Sequence, residues 1–183
     1  SALSISNSFP KNTGTVIIKH SNPCGASIEN NDVNSFNSAF ACDPISAFGG
    51  VVSFNFKVKK TLAEKLNKIF LEVVIAKGFE NNALKLLKKR KNIRIIDSSN
   101  LFNSQNLNYI SNFNTLLFQS NDSLKFDKKN FIVVSKKKPT SIQLKNLIFA
   151  FNVCRHVKSN AIVLTNNKST VGIGSGQPSR LDS

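Results

Sequence analysis

Thr15-Val16-Ile17-Ile18-Lys19-His20-Ser21-Asn22-Pro23-Cys24-Gly25 begins with a β-branched apolar run and ends in polar residues punctuated by Pro and Gly. A run of this kind reads as a buried strand, and Asn22 to Gly25 reads as the turn that stops it. Lys19 and His20 then fall at the strand end, where a rigid scaffold can present functional groups. Successive strand residues point to opposite faces, but that alternation relaxes before a turn, so both side chains can reach one pocket. An imidazole there could take a proton from a weak nitrogen nucleophile. The ammonium beside it could stabilise an oxyanion forming on a carbonyl carbon. By itself the dipeptide is a short signal that equally fits a surface lysine next to a hydrogen-bonded histidine.

Outward from this stretch, helical and strand patterns alternate: helix over 33–42, strand over 51–54, helix over 61–70, strand over 73–76, helix over 82–90, strand over 93–96. Such alternation predicts an α/β fold, a layered sheet with helices on its faces. Residues 98–122 are rich in Asn and Ser and read as a long excursion with a strand near 116–118; 131–134 reads as a further strand. Thr140 is placed to N-cap a helix over 142–157, with Leu144, Leu147, Ile148, Phe151 and Cys154 on its apolar face. Residues 161–164 and 170–173, joined by an Asn166-Asn167 turn, read as a hairpin.

The chain carries 25 Lys and Arg against 10 Asp and Glu, a net charge of +15. The lysines are scattered through helices and loops and read as solvated faces. Tyr109 is the only tyrosine, and the phenylalanines sit inside apolar runs, so the aromatic-and-basic pattern of a nucleic-acid groove is missing. A nucleic-acid partner is therefore not expected, and the charge is better suited to attracting small anions. Cys24, Cys42 and Cys154 are widely spaced, without metal-ligand spacing. Pro23-Cys24 invites comparison with zinc deaminases, but Ser27 stands where their second Cys would be and Asn22 where their Glu would be. We therefore expect no metal. Reduced cysteines and the lack of an apolar stretch of about 18 residues point to the cytoplasm and away from a membrane. Gly172-x-Gly174-x-Gly176 lacks the Gly-x-Gly-x-x-Gly spacing of a dinucleotide loop, although its backbone amides could approach a ligand closely. The chain contains no methionine and starts at Ser1, which reads as an internal fragment.

Five segments, taken in order, carry a resemblance: Lys19-His20-Ser21-Asn22-Pro23-Cys24-Gly25, Asp43-Pro44-Ile45-Ser46-Ala47-Phe48-Gly49-Gly50, Glu72-Val73-Val74-Ile75-Ala76, Val157-Lys158-Ser159-Asn160-Ala161, and Gly172 through Gln177-Pro178-Ser179-Arg180. Together they resemble the transformylase half of the bifunctional purine biosynthesis enzymes, in which AICAR transformylase is joined to IMP cyclohydrolase. The resemblance implies a cytidine-deaminase-like fold, with a first subdomain over 1–135 and the beginning of a second over 136–183. It implies formyl transfer from 10-formyltetrahydrofolate, as cosubstrate, to the 5-amino group of AICAR ribotide, with a homodimer in the intact protein. It makes His20 the proton acceptor and Lys19 the transition-state stabiliser. His20, Phe48, Gly49, Glu72, Asn160 and Arg180 would hold the nucleotide, and Leu181 would lie beside the folate. Lys77 and Asn114-Thr115 depart from the family pattern, which leaves local loop shape open. A nucleotide-binding module without catalysis and a zinc-dependent deaminase-like hydrolase are the alternatives.

Overall fold

Gly14–Lys19 forms the strand β1 at the centre of the computed structural model, which describes residues 1–101, 107–120, 128–179 and 181–183. β1 pairs antiparallel with β2 (Asn22–Ile28) on one edge and with β3 (Gly50–Phe54) on the other. Ile17 enters one face of the sheet and Val16 and Ile18 the other, all of them buried. A strand covered on both faces needs this continuous apolar run rather than an apolar–polar alternation.

From β3 the chain makes two right-to-the-edge steps in parallel, to β4 (Leu71–Ala76) and β5 (Arg94–Asp97). Helices α3 (Lys60–Leu66) and α4 (Asn81–Leu87) make the crossovers and, with α2 (Asp32–Phe40), cover one face through Phe36, Leu62, Leu66 and Leu87 packed on Phe54 and Val74. The other face is covered by α1 (Ala2–Ser8) and α5 (Ser141–Cys154), which bring Ile5, Phe9, Phe149 and Val153 onto Val16, Ile18 and Ala26. A hairpin of β8 (Ile162–Asn166) and β9 (Ser169–Gly174) completes the sheet in the order β5-β4-β3-β1-β2-β9-β8. The result is the expected α/β layering, a seven-stranded sheet with helices on both faces. Among the described residues no helix is long and apolar enough to cross a membrane.

Several expectations change. Asn22 to Gly25 is not a turn but the start of β2; His20 and Ser21, with φ of 49° and 67°, make the turn instead. Gly25 lies inside that strand because a Cβ there would run into the backbone carbonyl of Ala39 in α2. Thr140 caps α5 as predicted, in a reciprocal capping box with Gln143. The buried side of α5 is different, however: Phe149, Asn152 and Val153 face inward, while Leu144, Leu147 and Phe151 are exposed. The choice is made by α1, absent from the sequence expectations, whose C-terminal side sets the Phe9 ring against Phe149 in a tilted pair with centroids 5.6 Å apart and accepts from Asn152 Nδ2 at Ser8 Oγ, 3.1 Å away. Residues 131–134 form no strand, since no described neighbour offers them a ladder. The sequence predicts a division near residue 135. In the structure residues 1–99 and 139–183 make one compact unit, because β9 joins the sheet beside β2, and residues 100–138 make another. The second unit holds an antiparallel pair, β6 (Leu107–Asn112) and β7 (Thr115–Ser120), of which only the second is anticipated, and a 3₁₀ turn at Lys128–Asn130.

Asn55 ties the end of α1 to the sheet. Its Oδ1 accepts from the backbone N–H groups of Thr13 and Gly14 at 3.0 and 2.7 Å, and its Nδ2 donates to the carbonyls of Phe9 and Pro10 at 3.3 and 2.9 Å. Both ends of a buried amide are thus satisfied, and removing it orphans the Gly14 N–H at the start of the central strand. We expect Asn55→Ala to lower unfolding free energy by about 1–3 kcal/mol, the cost of unpaired buried backbone groups. Urea titration measures it; a midpoint equal to wild type contradicts the assignment.

Candidate functional site

The topology collects the candidate residues at one end of the sheet. β1 ends at Lys19, and because β2 and β3 are antiparallel to it their first residues, Asn22 and Gly50, lie at that same end. β4 runs parallel to β3, so Glu72 near its start arrives there too. β9 is antiparallel to β2, which brings its last residue, Gly174, and the start of β8 to the same place.

Lys19 is the organising side chain. Its Nζ donates to the carbonyls of Phe48 and Gly49, each at 2.9 Å, so two of its three N–H groups are committed and one remains. Gly49 has φ of 66°, and a Cβ there would lie 2.9 Å from Lys19 Nζ and 3.2 Å from the Phe70 ring. Glycine is therefore demanded by both backbone and neighbours. Gly49 N–H donates to the Phe70 carbonyl at 2.9 Å, and the Phe48 ring leans on Phe70 with centroids 5.0 Å apart. Phe48 remains 63% exposed, which leaves most of its ring available to a ligand.

Two cavities flank the Lys19-His20 turn. The smaller, about 280 Å³, is lined by Lys19, His20, Gly49 and Glu72 over a floor of Ile18 and Val51. The larger, about 550 Å³, shares Lys19 and His20 and continues past Asn22, Cys24, Asp43 and Gln177. Four of the predicted residues are therefore brought together in the smaller cavity. Phe48 and Asn160 line neither, Leu181 is almost fully exposed, and Arg180 lies outside the described residues. Asn160 is engaged elsewhere: its Nδ2 donates to the carbonyls of Gln177 and Pro178, both at 3.1 Å, and so fixes the loop after β9 against the segment before β8.

The larger cavity holds groups to which the sequence alone gives no role. Asp43 accepts from the Ser46 side chain and from its N–H at 2.9 Å, and these bonds hold its carboxyl below the usual carboxylate range. Its only sequence signal is its place in Asp43-Pro44-Ile45-Ser46, an Asx-type turn. Burial, reinforced by the Asp43 charge, pushes the Cys24 thiol up to about 12, and burial raises Cys42 as well. Both are therefore neutral thiols rather than nucleophiles at neutral pH. Among the described residues no three His, Cys, Asp or Glu side chains gather where they could hold a metal ion.

Comparison with known families decides the lineage. The family model described as the AICARFT/IMPCHase bienzyme matches residues 1–183. The chain belongs to this family. It is similar to the bifunctional purine biosynthesis protein PurH of Limosilactobacillus reuteri strain DSM 20016, with 45% identity over 170 residues, 92% of this chain and 33% of that protein. The PurH of Thermoanaerobacter sp. strain X514 is 44% identical over 172 residues, covering 93% of the chain and 34% of the relative. That of Aquifex aeolicus is 40% identical over 183 residues, 100% of the chain and 35% of the relative. The chain thus spans about a third of the length of the curated relatives it matches.

The Cys24 thiol sets a pH dependence. The folded protein keeps this proton up to about 12, whereas the unfolded thiol releases it near 9.0. Above the lower value the unfolded state binds fewer protons, so Cys24 contributes a loss of stability as pH rises from about 9 towards 12, and nothing below that window. We expect the fall in urea midpoint between pH 8 and pH 11 to be shallower in Cys24→Ala than in wild type. Parallel curves for the two proteins refute the assignment.

Proposed function

We propose that the chain carries the nucleotide side of a formyl-transfer site, which moves the formyl group of 10-formyltetrahydrofolate to the 5-amino group of AICAR ribotide in purine biosynthesis. The observation that carries this reading is the convergence of Lys19, His20, Gly49 and Glu72 on one cavity beside a larger one that shares the same two basic residues. Family membership supports it.

The chemistry asks for both groups. The amine of AICAR is a poor nucleophile because its lone pair is delocalised into the imidazole and carboxamide. As its nitrogen attacks the formyl carbon, His20 takes the proton it must lose. The tetrahedral intermediate carries a negative oxygen, which the one uncommitted N–H of Lys19 can receive without moving, since its other two hold Phe48 and Gly49 in place. Collapse breaks the bond to the folate nitrogen, which takes up the proton that His20 accepted from the amine, giving formyl-AICAR and tetrahydrofolate and a neutral imidazole again. Gly49, Phe48 and Glu72 frame the nucleotide, and Asn160 and Arg180 are assigned to hold the carboxamide and orient the attack. Leu181 lies beside the folate. No protein-bound metal is required in this scheme, and the intact protein works as a cytoplasmic homodimer.

Since the chain spans a third of its relatives, we expect it to bind AICAR ribotide and to leave it unformylated when alone. Titration calorimetry of the 183-residue chain should detect binding that Lys19→Ala weakens, through lost charge and a released Phe48-Gly49 turn, by about 1.5–3 kcal/mol. Spliced in place of the matching third of the Limosilactobacillus reuteri relative, the chain should support formyl transfer, and His20→Ala should cut kcat roughly 100-fold or more with nucleotide affinity retained. Turnover close to that of the unmutated chimera removes His20 from the mechanism.

A further inference from the structure

Between α2 and β3 the chain runs through Asp43-Pro44-Ile45-Ser46-Ala47-Phe48-Gly49, a segment that ends in the two carbonyls holding Lys19 and begins in a carboxylate to which the chemistry above gives no part. Little packing shapes it. Ile45 is 89% exposed and Phe48 is mostly so, and of these seven residues only Ala47 sends a buried side chain into the core. The form of the segment therefore rests on its hydrogen bonds.

Those bonds start at Asp43. The Ser46 N–H donates to Asp43 Oδ1 at 2.9 Å, and the next amide, the Ala47 N–H, donates to the Asp43 carbonyl at 3.1 Å. Side chain and main chain of one residue thus close two overlapping turns, while Pro44 fixes φ just after it and has no N–H of its own to satisfy. The segment continues in the same way, with the Phe48 N–H donating to the Ile45 carbonyl at 3.3 Å and the Gly50 N–H to the Ala47 carbonyl at 3.0 Å. The positions of the Phe48 and Gly49 carbonyls are in this way referred back to Asp43. Each of these carbonyls takes one N–H of Lys19 at 2.9 Å, and together they aim the third.

Asp43 and Lys19 both line the larger cavity, yet among the described residues no ion pair joins Asp43 to Lys19 or His20. Its reach to Lys19 is through the backbone. What the turn asks of residue 43 is an acceptor at Oδ1, and a neutral amide oxygen also supplies one.

We propose that Asp43 is a positioning residue for formyl transfer: its side chain sets the 43–50 turn, and the turn holds the Lys19 ammonium where the oxyanion forms. This rests on the formyl-transfer reading given above and adds to it a residue that acts without touching either substrate. An oxyanion donor is effective because it is in place before the charge develops, so a loosened turn is felt in kcat.

The test uses the chimera with the Limosilactobacillus reuteri relative at saturating substrates. Asp43→Ala should lower kcat about tenfold or more, the scale of a misplaced catalytic group. Asp43→Asn, which keeps the Oδ1 acceptor, should restore kcat to within about threefold of the unmutated chimera. In a Lys19→Ala background Asp43→Ala should cost less than about twofold more, since the residue it acts through is gone. Amide exchange of the 43–50 segment, followed by mass spectrometry on the same proteins, should be roughly tenfold faster in Asp43→Ala and unchanged in Asp43→Asn. Unchanged kcat in Asp43→Ala overturns the proposal. So does an Asp43→Asn as impaired as Asp43→Ala, an equal loss with and without Lys19, or an Asp43→Ala protein that cannot fold, in which the turn would serve the fold and not the chemistry. A chimera that transfers no formyl group before any substitution counts against the proposed function instead, and the exchange rates then uphold or overturn the hold of Asp43 on the turn by themselves.

Discussion

β1 has both edges paired and both faces buried, and the rest of the sheet domain is positioned from it. Ile17 on one face and Val16 and Ile18 on the other admit one register, since a slip of one residue would exchange the faces and put each side chain into the wrong layer. That register ends the ladder at Lys19 opposite Asn22, and only two residues remain to reverse the chain. His20 and Ser21 must then adopt positive φ, which a tight hairpin matched to strand twist requires. The placement of an imidazole at the mouth of two cavities is thus a consequence of packing in the middle of the sheet.

Lys19 converts that placement into a fixed geometry. An ammonium giving two bonds to consecutive carbonyls pins the turn before β3, and the glycine at that turn exists because the ammonium and Phe70 leave no room for a Cβ. The same side chain therefore builds the wall of the smaller cavity and keeps one donor for whatever enters it. On the other side, an ionised Asp43 and two neutral thiols share the larger cavity with the same two basic residues.

Much of this was legible in the sequence where one physical cause dominates. The β-branched run of β1, the alternation leading to β3, β4 and β5, the Thr140 cap and the turn after Asn166 each depend on local chemistry, and each appears in the structure. Expectation failed where tertiary contacts choose between local options. Pro23 and Gly25 look like turn residues, yet Gly25 marks the close approach of α2 to a strand and Pro23 sits at an irregular register beside Ile18. α5 is apolar nearly all round, so its own periodicity could not select a face; Phe9 and Ser8 of α1 do that, and α1 is too short and polar to announce itself. The gathering of Lys19, His20, Gly49 and Glu72 was readable only through the family resemblance of their motifs, because no spacing links residues on β1, β3 and β4.

The join between β2 and β9 is narrow. One residue pair, Ser27 with Ser169, stands in register there, and the next position is held by a side chain: Thr170 Oγ1 accepts from the Ala26 N–H at 2.9 Å and donates to the Ala26 carbonyl at 3.2 Å. A hydroxyl thus takes the part of a whole backbone residue in carrying the sheet across. Around it the hairpin is held by the Ile28 N–H, which donates to the Lys168 carbonyl at 2.8 Å, and by Val163 and Ile173 packed into the cluster of Val16, Ala26 and Phe149. The larger cavity has one wall on each side of this join, Asn22 and Cys24 on β2 and Ile173 and Gly174 on β9, so the one hydroxyl that bridges the two strands also sets the two walls of that cavity against each other, whereas the smaller cavity takes nothing from β9.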